Sequence, residues 1–317
     1  MMSDVFTIGS LSAASGSKVQ GWLPIEGSSL SLPLTLVNGS KPGKTVVISA
    51  GIHGGEYPGI EAAVRLARTI DPEQVSGRIV ILPCANQEAF FSKSQYVNPI
   101  DGKNLNRVFP GKVKGSISER IAYTISSELF PVADCYLDLH SGDIHEHLAN
   151  FVIYPQIGTP EQIATSREIA SLLGVTYVVA STSATGTFGS AAELGIPGFL
   201  GEVGCCGRWS EDDVRIYLEG IKNVLRFFAI IPGVTIAHAC SFYKRAATVS
   251  STKQGLWHPA VVPEQLVHEG DLLGQIVDLF GEPLESYYAP CLGPVLYVAS
   301  SLAITIGDPL AAVGEPE

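Results

Sequence analysis

The sequence predicts a doubly wound α/β sheet, mostly parallel or mixed, followed by a small all-β unit. Three observations predict it. Short apolar runs alternate with helix-period segments as far as residue 231. The helix period vanishes after Pro232-Gly233. The 317 residues are 46% hydrophobic and only 16% charged, so a sizeable core can be buried. The expected division is residues 1–232 for the α/β unit and residues 233–317 for a barrel-like β unit.

Residues 1 to 40 are rich in Gly and Ser and carry short alternating stretches such as "LSLPLTLV". They predict edge strands or a hairpin leading into the core. "KTVVISA" has a buried-strand pattern. In "PGIEAAVRLARTI", Ile60, Ala63, Val64, Ala67 and Ile70 share one helical face, with Pro58 suited to the first turn. "RIVILPCAN" is a buried strand. "SISERIAYTISSELF" is a helix opened by the capping box of Ser116 and Glu119. "CYLDLH" is a strand, and "PEQIATSREIASLL" is a helix stopped by Gly174. "VTYVVAS" and "PGFLGEV" are strands. "SEDDVRIYLEGIKNVLRFFAII" closes the unit as a long helix with Val214, Leu218, Ile221, Leu225 and Phe228 inside. Beyond residue 232, "HEGDLLGQIVDLFGEP" and "YYAPCLGPVLYVASSLAITIGDPL" hold only short β-type runs and turns.

A net charge of −11 without any Lys/Arg cluster argues against nucleic acid as a partner. No apolar run approaches the roughly 18 residues that span a membrane. The opening "MMSDVFTIGS" lacks a basic segment followed by an apolar one, so the expected location is the cytoplasm. Six scattered cysteines form no C-x-x-C pair, and the expectation is reduced, packed thiols rather than a cysteine zinc site.

In an open α/β sheet, ligands sit beyond the carboxyl ends of the strands. Three chemically capable residues fall there: His53 after "TVVISA", His140 ending "CYLDLH", and Glu202 ending "PGFLGEV". In "GIHGGEYPG" the glycines let the backbone fold sharply, so His53 and Glu56 can converge. An isolated H-x-x-E is common by chance, and a lone histidine is more often a core or loop residue. Together, His53, Glu56 and His140 offer two nitrogens and one oxygen, the donors zinc takes at about 2.0–2.2 Å, and leave a fourth position for water. Asp138, two residues before His140, points to the same side of the strand and can orient a ligand from behind or act as a structural carboxylate. Glu202 lies between Gly and apolar residues, a setting that raises a carboxyl pKa and suits a general base. In "DGKNLNRVFPG", Arg107 offers a planar fork for a carboxylate and Asn106 a donor and acceptor beside it. His145 and His147 read as a solvated loop, and His238, His258 and His268 as structural or surface residues.

These pieces carry a resemblance. "GIHGGEYPG", "DGKNLNRVFPG", "DLHSG" and "GIPGFLGEVG", in that order, resemble the succinylglutamate desuccinylase/aspartoacylase family of the zinc carboxypeptidase superfamily, over roughly residues 40 to 315. The resemblance implies one zinc held by His53, Glu56 and His140. It makes Glu202 the base that activates water and later protonates the leaving amine. Asn106 and Arg107 would hold a substrate carboxylate or a nearby polar group, and the last 85 or so residues would form the family's C-terminal β barrel. The chain departs from the family in "SKSQYVNPIDG", where Gln95 and Tyr96 stand and the family's carbonyl-polarising arginine is missing. Zinc alone, Lys103 or Tyr96 would then take that task. The implied activity is hydrolysis of a small N-acyl amino acid. The alternatives are a zinc carboxypeptidase acting on a peptide-like substrate and a metal-binding scaffold without turnover. The acyl group, the amino acid and homo-oligomer formation stay open.

Overall fold

The computed structural model describes residues 5–317. The first four residues of the opening segment lie outside the described residues. The α/β architecture forms as the alternation predicts. One mixed sheet of 13 strands runs through the molecule. At its centre lie, side by side, Tyr177–Ser181, Phe151–Pro155, Gly198–Glu202, Cys135–His140, Lys41–Ala50 and Ser76–Leu82. Gly198–Glu202, Cys135–His140, Lys41–Ala50 and Ser76–Leu82 are parallel neighbours. Phe151–Pro155 is antiparallel to Gly198–Glu202, which makes the sheet mixed. Ser31–Asn38 and Ser17–Pro24 finish one edge, and Val5–Ile8 with Leu11–Ala14 forms a separate hairpin.

Alternation along the strands divides the interior in two. Val46, Ile48, Ala50, Ile79 and Ile81 face one core, together with residues of helices α1 (Tyr57–Thr69), α4 (Pro160–Ser171) and α6 (Glu211–Phe227). Val47, Val80 and Leu82 face the other core with α3 (Ile117–Glu128) and Ala191 of α5 (Gly186–Glu193). Side chains one residue apart point to opposite faces, so each strand feeds both layers. Each fully buried Val, Leu or Ile contributes about 1.5–3 kcal/mol of transfer free energy. Helix starts follow their local chemistry. Pro58 sits in the first turn of α1, and Glu119 accepts the Ser116 N–H at 2.9 Å at the start of α3.

Among the elements the sequence does not announce are two helices and two strands, one of them Glu146–Leu148 in a stretch expected to be a loop. Helix α2 (Gln87–Ser92) is too short to show a period. Helix α5 reads "GTFGSAAE", with glycines where an apolar stripe would be. Phe151–Pro155 is a five-residue strand ending in proline.

After residue 240 the described residues form strands and no helix, as expected. The central sheet, however, does not end at residue 232. Ser241–Ser250 begins parallel to Tyr177–Ser181, then pairs antiparallel with Pro309–Pro316. Gly293–Ala299 follows and also pairs with Glu146–Leu148, a short strand from the α/β half. A separate antiparallel sheet of four strands packs around Trp257, Ile276, Tyr287, Ile304 and Leu310. In place of a freestanding barrel, the pairing is an extension of the central sheet plus this smaller sheet. No helix among the described residues is long and apolar enough to cross a membrane.

Candidate metal centre

His53, Glu56 and His140 meet at the carboxyl ends of Lys41–Ala50 and Cys135–His140. Their ligand atoms all lie within 4.8 Å of one another, and all three residues are buried. The chain leaves Lys41–Ala50 through Gly51, whose φ of +66° is the left-handed turn a side chain would strain. Gly55 is needed for close approach, because a Cβ there would stand 2.3 Å from Asp143 Oδ1. Glu56 then sits at the N-cap of α1, where the positive end of the helix dipole favours its charge.

The hydrogen-bond pattern fixes what the rings offer. His53 Nε2 lies 3.1 Å from Asn104 Oδ1, and His140 Nε2 lies 3.0 Å from Asp138 Oδ2. Asn104 Oδ1 also accepts the Asn106 N–H at 2.8 Å, which orients that amide. Both partners are acceptors, so each ring carries its hydrogen on Nε2 and presents a lone pair at Nδ1. The two Nδ1 atoms lie 2.6 Å from Glu56 Oε1 and 2.8 Å from Glu56 Oε2. Despite that short distance, Glu56 Oε2 has no hydrogen bond of acceptable geometry. Two lone pairs and a carboxylate in one buried spot call for a cation. Without a metal, the proton takes that part. Burial, the largest single influence, would lower His53 and His140, but the charge and hydrogen bond of Glu56, with Asn104 at His53 and Asp138 at His140, together raise both. Burial likewise opposes the charge of Glu56, and the two imidazoles reverse it. Two imidazole nitrogens plus a carboxylate oxygen fit one divalent cation.

The support behind the ligands is dense. Asp138 accepts from Ser49 Oγ at 2.7 Å and from Thr187 Oγ1 as well as facing His140. Asp138 therefore orients the His140 ring from behind rather than serving as an isolated structural carboxylate. Thr187 is on α5, and its N–H donates to Asn106 Oδ1 at 2.9 Å. Tyr217 of α6 donates to the backbone carbonyls of His140 and Gly201, tying the ends of two strands together. Asn104, Thr187 and Tyr217 were not picked out from sequence. Asn104, two residues before Asn106, carried a legible signal as an Asx cap of the turn Leu105–Arg107.

Glu202 is the direct strand neighbour of His140, so both side chains leave the same face of the sheet. Part of the residue is accessible, yet its Oε2 is out of solvent and has no hydrogen-bond partner. Burial holds its carboxyl well above the usual range, and the charge of Glu56 adds to the effect while His140 opposes it. Asn106 is buried with its amide oxygen committed to Thr187. Arg107 is exposed, and its guanidinium donates to the Asn106 carbonyl at 3.1 Å. Lys103 is bound to Glu119 at 3.0 Å. Tyr96 instead packs edge-on against His53, with ring centroids 5.9 Å apart. Of the residues considered for the vacant arginine position, Tyr96 is the one beside the cluster. His145 is exposed and lines a cleft there, whereas His147 is simply exposed. All six cysteines are free thiols, and Cys84 and Cys135 are buried.

The profile of the succinylglutamate desuccinylase/aspartoacylase catalytic domain matches residues 42–228, more than half of the chain. The chain belongs to this family. A relative within reach is the N-alpha-acetyl-L-2,4-diaminobutyric acid deacetylase of Halomonas elongata, 29% identical over 295 residues, or 90% of this chain and 85% of the relative. Among solved structures, a succinylglutamate desuccinylase/aspartoacylase from Rhodobacter sphaeroides superposes with a TM-score of 0.84 at 29% identity, covering 95% of each chain. The product-bound ectoine utilization protein of Ruegeria pomeroyi superposes at 0.86 and 29% identity, covering 94% of this chain and 95% of that one. These family members share the mixed α/β fold over nearly the whole length, including the strands after residue 240.

Proposed function

We propose that this chain is a zinc-dependent amidohydrolase that removes the acyl group from an N-acyl amino acid, with one zinc per chain. One observation carries the reading: Glu202, with one carboxylate oxygen buried and without a hydrogen-bond partner, stands beside three side chains whose donor atoms converge on one point. Kinship with a relative named as a deacetylase of an N-acetyl amino acid supports the substrate class.

His53, Glu56 and His140 would hold the ion. When bound, zinc supplies Lewis-acid polarisation of a carbonyl oxygen and brings the pKa of water to about 7. Glu202 takes the proton from the attacking water at its carboxylate, helped by the burial that raises its proton affinity. It then returns that proton to the departing amine nitrogen. Asp138 and Asn104 keep the two rings turned so that Nδ1 faces inward. The Arg107 fork and the Asn106 amide hold the substrate carboxylate. Residues 233–317, whose strands extend the central sheet and add the smaller one, act in this proposal to narrow access and favour small substrates over peptides.

The test is metal analysis joined to a panel of N-acyl amino acids and short peptides. About one zinc per chain, hydrolysis of the acyl amino acids, and loss of turnover with retained zinc in Glu202→Gln are expected. Cleavage of the peptides alone would make the chain a carboxypeptidase instead.

A further inference from the structure

Residues of α1, of α2 and of the segment just before α6 line a cavity of about 410 Å³. Four aromatic rings form most of its wall: Tyr57, Phe90, Phe91 and Trp209, with Ile60 as the aliphatic part. Tyr57 meets Phe90 edge to face with centroids 5.8 Å apart, and Phe90 meets Phe91 in the same way at 5.0 Å. Phe91 is nevertheless 76% exposed and Trp209 51% exposed. A single large apolar side chain in water is ordinary, but exposed rings that share one concave wall with two further rings suit an apolar ligand.

The cavity is separate from the metal centre. None of His53, Glu56, His140 and Glu202 lines it. It adjoins only the backbone that carries two of them. Tyr57 directly follows Glu56, and a Cβ on Gly54 would stand 2.2 Å from the Phe90 nitrogen.

The charges in the wall select the ligand. Glu61 and Lys93 are its charged residues. Arg65 Nε donates to Glu61 Oε1 at 2.6 Å, and the same guanidinium donates to both Glu211 oxygens at 2.6 and 2.8 Å. That guanidinium also lies 6.0 Å from the centre of the Trp209 ring. The charge of Glu61 is therefore already answered. Lys93, the C-cap of α2, is exposed and has no ion pair among the described residues. The cavity thus offers aromatic faces and one cation without a carboxylate.

We propose that this cavity binds a small aromatic carboxylate, with its ring among the four aromatic side chains and its anionic end at Lys93. An ammonium in the same place would meet Lys93 and find Glu61 taken. The site goes beyond the deacylase reading and does not depend on it.

Three ligands that share a ring system and differ in the end group test it: 2-naphthylacetate, 2-naphthylmethanol and 2-naphthylmethylamine, each titrated by calorimetry into the zinc-loaded and the metal-free protein. Saturable binding of the acid to both forms is expected. The acid should bind about 2- to 5-fold tighter than the alcohol, which is the worth of one exposed ion pair, and the amine should bind most weakly. Lys93→Gln is expected to erase the advantage of the acid over the alcohol. Phe91→Ala, at an exposed position, is expected to weaken the acid and the alcohol alike, by about 3- to 10-fold, with zinc content unchanged. Absence of binding to either form overturns the proposal, as does preference for the amine. Binding that needs zinc and ignores Phe91→Ala also overturns it, because the carboxylate would then sit on the ion. Sedimentation covers the remaining occupant: a dimer that Phe91→Ala dissociates, in a protein that binds none of the three, would mean that a second copy of the chain covers the rings. No outcome reads turnover, so loss of the deacylase reading leaves the test intact.

Discussion

Behind the His53–Glu56–His140 cluster, polar groups are answered from within the chain. Asp138 has Ser49, Thr187 and His140; Asn104 has His53 and the Asn106 amide. In front of the cluster, Glu202 keeps an oxygen with no partner, and Glu146 accepts the Asp143 N–H but has no Lys or Arg partner among the described residues. Asp138 and Glu202 lie on neighbouring strands of one sheet, so the contrast is one of purpose rather than depth. Groups that must not move are satisfied by the protein, and groups that act on a ligand are left for the ligand to satisfy. Substitutions on the two sides should therefore fail differently.

The largest effect is expected in front. Glu202→Gln keeps the shape and removes the proton acceptor, so kcat should fall about 10²- to 10⁴-fold with zinc content unchanged. Steady-state kinetics beside metal analysis reads both. If zinc leaves with the activity, Glu202 belongs to the supporting side and the contrast is wrong.

Behind the cluster the loss should appear first in the metal. Asp138→Asn alters the group that fixes the His140 ring, and metal affinity should drop about 10- to 100-fold. Competition with a chromogenic chelator measures it. Unchanged affinity with reduced turnover would move Asp138 to the front side.

Removing the metal exposes the cluster's need for positive charge. The folded-state pKa of His140 lies well above 6.5 and that of His53 is also raised from 6.5, because the charge and hydrogen bonds of Glu56, with Asn104 at His53 and Asp138 at His140, together overcome their burial. A group with a raised folded pKa stabilises the fold fully below its unfolded value, and the contribution is lost as pH rises through the folded value. The Tm of chelator-treated protein should therefore decline as pH climbs from about 6.5 into the alkaline range. The zinc-loaded protein should lose less over that window, since the ion supplies the charge that the protons had supplied. Parallel melting curves for the two forms would show that the cluster does not depend on a cation.

What the sequence disclosed follows the same division. His53, Glu56, His140 and Glu202 were legible because each ends a buried strand or follows one, and strand ends share an edge. Asp138 was legible as the residue two before His140. Thr187 was not, since "GTFGSAAE" carries no periodic stripe and nothing local links it to a carboxylate 49 residues away. Tyr217 was hidden in a helix read only for its apolar face, where a tyrosine counts as core; its hydroxyl work becomes visible once the strands are placed. The C-terminal strands were legible as β structure, but their pairing with Tyr177–Ser181 and Glu146–Leu148 was not, because register between distant strands leaves no local mark.

The smallest effect should come from Thr187→Val, which bears most directly on how the supporting side works. The change is close in volume and removes only the hydroxyl that donates to Asp138; the backbone N–H to Asn106 remains. Asp138 keeps Ser49 and His140, so its carboxylate stays oriented but loses one donor in a fully buried place. The expected cost is about 1–2 kcal/mol of stability, read as a Tm lower by about 2–4 °C for each kcal/mol. Zinc affinity should change by less than about tenfold, because His140 retains its partner. If Thr187→Val instead loosens zinc as much as Asp138→Asn does, the hydroxyl and the carboxylate act as one unit, and ring orientation depends on the whole network reaching back to α5. A double variant separates the cases: additive losses mean independent supports, and a combined loss no larger than that of Asp138→Asn alone means that Thr187 works only through Asp138.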